Sequence, residues 1–149
     1  MPGLALRSRH GWLAGLLAAG LLLAGCAGNG EDMSRSPDLG KQLYGANCAS
    51  CHGPQGQGDP EWKVQRLDGC YPPPPHDNTG HTWHHDDRLL SQLIKGGGAS
   101  LDIPSFKSCM PAFGEVLTDA EIGQVVQHLK TFWGPKERDF QERVNAQQQ

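Results

Sequence analysis

Residues 48 to 52 read Cys48-Ala49-Ser50-Cys51-His52, and this stretch constrains the chain more tightly than any other. Two thiols three residues apart, followed at once by a histidine, suit three chemistries: a redox dithiol, half of a structural zinc site, or covalent haem attachment. A redox dithiol belongs in a βαβ setting, and no such alternation is visible. A zinc site needs a second ligand pair at short spacing, whereas Cys70 and Cys109 stand alone. Haem attachment needs only the five residues themselves. A three-residue step at a helix end brings both sulfurs to one edge, where each can form a thioether with a haem vinyl group, and His52 then lies under the iron as proximal ligand.

A distal iron ligand, a methionine or a histidine, should follow downstream. Of the three methionines, Met1 lies in an N-terminal signal and Met33 in a polar stretch, which leaves Met110 in Ser108-Cys109-Met110-Pro111-Ala112-Phe113. A thioether is a soft ligand that favours ferrous iron and raises the potential relative to a second imidazole. Pro111 would stiffen the loop that presents it. The alternative role for Met110 is that of an apolar gap filler.

Between Pro37 and Gly134 the chain resembles a class I monohaem cytochrome c. Gly40-Lys41-Gln42-Leu43-Tyr44 through His52, then Gly53-Pro54-Gln55-Gly56-Gln57-Gly58, is similar to the opening helix and haem loop of that family. Met110-Pro111-Ala112-Phe113, followed by Leu117-Thr118-Asp119-Ala120-Glu121-Ile122, is similar to its methionine loop and closing helix. The resemblance implies an all-α fold of three to five short helices, with long loops wrapped around one covalent haem c. It also implies one-electron transfer rather than enzymatic turnover, and the family's crossing of first and last helices would set Gly40 and Tyr44 against Leu129 and Phe132 or Trp133. Cys48, Cys51, His52 and Met110 are expected to ring the haem cavity.

The residues support helices on their own terms. Ser36 can cap a helix that has Pro37 at its first position. Asp86-Asp87 can start another, with Leu89, Leu90, Leu93 and Ile94 at helical spacing and Gly96-Gly97 ending it. Thr118-Asp119-Ala120-Glu121 is a capping box, after which Ile122, Val125, Val126, Leu129, Phe132 and Trp133 continue as an apolar stripe. This apolar set is thin for the domain, so a buried haem would complete the core.

Residues 1–25 carry Arg7, Arg9 and His10, then a short run of Leu, Ala and Gly from Trp12 to Gly25, as in a secretory signal. The run ends Leu23-Ala24-Gly25-Cys26, which resembles a bacterial lipobox, so Cys26 is expected to carry lipid; an ordinary cleaved signal is the alternative. No adjacent arginine pair is present, which favours export of an unfolded chain. Residues 26–36 read as a flexible tether, 37–134 as the cytochrome c domain, and 135–149 as a polar C-terminal tail. The expected location is therefore a bacterial membrane surface on the periplasmic or other extracytoplasmic side. The net charge of -3 gives no basic footprint for nucleic acid, and a monomer with redox-protein partners in a respiratory or related chain is expected.

Two regions stand outside that frame. Five cysteines, with Cys26 on lipid and Cys48 and Cys51 on haem, leave Cys70 and Cys109 for a disulfide in an oxidising compartment; two free buried thiols are the alternative. From His76 to Asp87 lie four histidines, three aspartates and Trp83. Trp83 and His81 are candidate donors to haem propionates, since buried propionates need hydrogen bonds. The same loop, His76–His85, could instead hold copper or zinc, and a copper-handling accessory protein is one competing function. A haem-based small-ligand binder, with Met110 displaced, is the other.

Overall fold

A computed structural model describes residues 37–147, apart from Asp102 and Ser105. The readings that involve the signal, Cys26, the tether and Ser36 lie outside the described residues. Five α-helices follow one another: α1 (Pro37–Asn47), the single turn α2 (Ala49–His52), α3 (Asp87–Gly96), α4 (Asp119–Leu129) and α5 (Pro135–Ala146). Short 3-10 turns lie at Thr82–His84, Gly98–Ser100 and Lys130–Phe132. The described residues contain no strand, only an isolated parallel bridge between Tyr71 and Ser108. The expected all-α fold with long loops is the fold observed.

Capping chemistry sets the helix starts. The Asp86 carboxylate accepts the Leu89 N–H at 2.8 Å and opens α3. Thr118 and Glu121 form a reciprocal capping box at the start of α4. Along α4 the buried residues are Ile122, Val125, Val126 and Leu129, a stripe of 3.6-residue period that faces α1 and α3. Each such side chain contributes about 1.5–3 kcal/mol over its exposed state.

The α1–α4 crossing differs in detail from expectation. Gly40 faces the Gln124 carbonyl and lies where an added Cβ would be 3.2 Å from His128 Cβ, so its nearest neighbours on α4 are Gln124 and His128 rather than Leu129. The absent side chain lets the helices meet through backbone, so the partner is a main-chain carbonyl that no hydrophobic pattern marks. Tyr44 meets Phe132, as expected, and also His128, each at a ring-centroid distance of 5.3 Å.

The reading of 135–149 as a tail is also corrected: Pro135–Ala146 is a docked helix, α5. Pro135 occupies its first turn after Gly134, and the side it buries is centred on Gln141. A helix that packs through a glutamine has a weak apolar period, which is why its sequence reads as solvent-exposed.

Candidate haem site

The two thiols and the histidine sit where α1 breaks into α2. Cys48 N–H still bonds the Tyr44 carbonyl at 2.8 Å, and the N–H groups of Cys51 and His52 both bond the Cys48 carbonyl. This helical step holds the pair together, with Cys48 buried and Cys51 exposed, and both are free thiols. Burial above all, and the neighbouring Cys51, push the Cys48 thiol up to about 11, so it is protonated near neutral pH.

His52 is buried, and its Nδ1 lies 2.9 Å from the Pro74 carbonyl. A carbonyl can only accept, so Nδ1 carries the proton and Nε2 keeps the lone pair a metal would use. Burial lowers the pKa of this ring, partly offset by the Pro74 bond, and keeps it neutral. The ring stacks on His76, centroid to centroid 4.1 Å at 24°. His76 pairs through Nδ1 with the Thr82 hydroxyl at 3.0 Å.

Met110 lies in a loop pinned to the end of α3. Gly98 N–H bonds the Met110 carbonyl at 2.8 Å, Phe113 N–H bonds Ile94, and Gly114 N–H bonds Lys95. Gly97, at φ 68°, allows this approach, since an added Cβ would meet the Met110 oxygen at 2.7 Å. On the other side of Met110, Cys109 is joined to Cys70 by a disulfide, with Cα atoms 5.7 Å apart. The expected pairing is present, and it ties the methionine loop to the segment that precedes the proline run. Met110 and Trp83 pack against the same apolar cluster that contains Cys48.

The histidine-rich segment does not gather its side chains into one chelate. His81 stacks on Trp62, His84 lies against Trp83 and Phe140, and His76 is taken up by His52 and Thr82. Among the described residues no three His, Cys, Asp or Glu side chains are placed to hold a metal ion. What the segment does offer is two unpaired polar atoms. Among the described residues, Trp83 Nε1 and His81 Nδ1 are buried and have no hydrogen-bond partner. A buried indole N–H normally finds an acceptor, so both residues suit a polar group that the described residues do not supply.

Two surface clefts, of about 560 and 360 Å³, are lined by Asp59–Pro72 residues and by Leu89–Leu101 residues, and neither includes Cys48, Cys51, His52 or Met110. At the site itself, His76 covers a face of the His52 ring, and Cys48 belongs to the apolar core.

The cytochrome c family model matches residues 37–133. The chain belongs to the cytochrome c family. Members of that family bind haem c covalently and transfer electrons. No curated protein and no solved structure matches the chain. The residues of this cytochrome c domain suit the cofactor: two unpaired thiols, a neutral imidazole with one nitrogen committed, and two buried ring nitrogens without partners among the described residues. The Pro74 carbonyl, the His76 stack and α5 are parts of the surroundings that sequence reasoning did not reach. Only α5 had a signal, the spacing of Phe140, Gln141 and Val144 on one helical face.

Proposed function

We propose that this cytochrome c is a one-electron carrier tethered to a bacterial membrane, with haem c attached through Cys48 and Cys51 and its iron held between His52 and Met110. Bound haem supplies a one-electron couple, and the chain supplies ligands and surroundings. The observation that carries the reading is the Nδ1 of His52 bound to the Pro74 carbonyl, which leaves Nε2 as ligand beside two free thiols. Pinning of the Met110 loop by α3 and by the Cys70–Cys109 disulfide suits a soft second ligand held at fixed reach. Haem iron ligated by both His52 and Met110 would leave no coordination site open to substrate, which suits a carrier rather than an enzyme.

The Leu23-Ala24-Gly25-Cys26 ending supports export and lipid anchoring, and a disulfide suits an oxidising compartment. A tether of residues 26–36 would keep the domain near membrane-bound redox partners at high effective concentration. The copper-handling alternative gains nothing from the dispersed histidines. Intact-mass measurement of exported protein should show one haem per chain that resists solvent extraction and is lost in Cys48→Ala/Cys51→Ala. Haem that extracts freely from the native protein would contradict the attachment. Release of Cys26→Ser from the membrane fraction tests the anchor.

A further inference from the structure

Helix α5 lies beyond the family-matched residues 37–133, yet it is tied closely to the segment that carries Trp83. Phe140 meets the Trp83 ring edge-on, with centroids 5.4 Å apart at 88°, and meets His84 at 5.3 Å. Gln141 is 1% exposed and donates to the Asp87 carboxylate and to the His85 carbonyl. Asn145 accepts the Asp87 N–H at 2.8 Å and donates to the Gln141 side chain. Lys130 adds an ion pair to the other Asp87 oxygen at 2.7 Å. Burying a glutamine costs free energy unless each polar atom is used, and here the amide spans two segments that are 54 to 56 residues apart in sequence. Such a network fixes a geometry more than it adds stability.

The geometry that it fixes contains a buried donor with no acceptor among the described residues, Trp83 Nε1. A rigid aromatic with a free N–H, braced from behind by an appended helix, is an arrangement for holding a hydrogen bond to a bound anion. We propose that α5 is a positioning element that, through Phe140 and Gln141, aims the Trp83 indole N–H at a haem propionate and thereby raises the reduction potential. This rests on the haem reading given above. An N–H directed at a propionate offsets negative charge that otherwise stabilises ferric iron. Phe140 and Gln141 act only through Trp83.

The test uses haem-loaded protein and its midpoint potential at fixed pH. Trp83→Phe should lower the ferrous-to-ferric ratio at the native midpoint by about two- to tenfold, less than the full worth of a hydrogen bond to a charged group because the propionate is bonded in both oxidation states. Phe140→Ala should lower it in the same direction by less, and Trp83→Phe/Phe140→Ala should be no lower than Trp83→Phe alone. Phe140→Leu, which keeps most of the volume, should stay folded and recover part of the shift. An unchanged potential in Trp83→Phe would overturn the proposal, as would additive shifts or a loss of thermal stability in Phe140→Ala without any shift. Native protein that carries no covalent haem would instead count against the underlying reading.

Discussion

The imidazole of His52 and the carbonyl of Pro74 are joined by a 2.9 Å hydrogen bond that crosses from α2 to the proline run. The bond selects a tautomer before any metal binds and holds the ring in place, as second partners of ligating histidines commonly do. His52→Ala should therefore remove the axial ligand while both thiols stay in place. The expected outcome is protein with covalent haem in reduced yield and an altered ferrous absorption spectrum. A spectrum identical to the native one would mean that the iron is held by another residue.

The Cys70–Cys109 disulfide closes a long loop, its two ends separated by 39 in sequence. The chain-entropy estimate gives it about 4 kcal/mol. Cys70→Ser/Cys109→Ser should lower the free energy of unfolding by up to that amount in a denaturant titration, and should loosen the loop next to Met110. Equal unfolding midpoints for the two proteins would show that the cross-link constrains nothing the fold does not already fix.

At the α1–α4 crossing, Gly40 lies against the backbone of Gln124. Gly40→Ala puts a methyl group into main-chain atoms that cannot rotate aside, so the helices must separate. A destabilisation of about 1–3 kcal/mol is expected from overpacking, although alanine is the better helix former. A more stable Gly40→Ala protein in thermal unfolding would mean that the crossing is looser than its geometry indicates.

Much of this fold was legible in residues whose local chemistry is self-contained. Asp86 and Thr118 announced their helices because an N-cap acts within three positions, and the stripe from Ile122 to Leu129 announced its buried face. Of the candidate site, Cys48, Cys51 and His52 were legible because their spacing is the chemistry, and the Cys70–Cys109 pairing followed from assigning the other three cysteines. What the sequence did not reveal depends on long-range placement. The Pro74 carbonyl reaches His52 only because the glycine-rich loop folds back, and backbone acceptors have no sequence signature. Helix α5 escaped because its buried centre is a glutamine whose partners, His85 and Asp87, lie more than fifty residues away.

The most direct measurement is a redox titration of the haem-loaded protein, followed by absorption, together with Met110→Ala. A carrier ligated by His52 and Met110 should show a single one-electron step and, in the ferric form, a methionine-to-iron charge-transfer band. Met110→Ala should lose that band, fall in potential and bind an added sixth ligand. An unchanged potential and spectrum in Met110→Ala would contradict the ligand assignment and, with it, the closed iron site on which the carrier function rests.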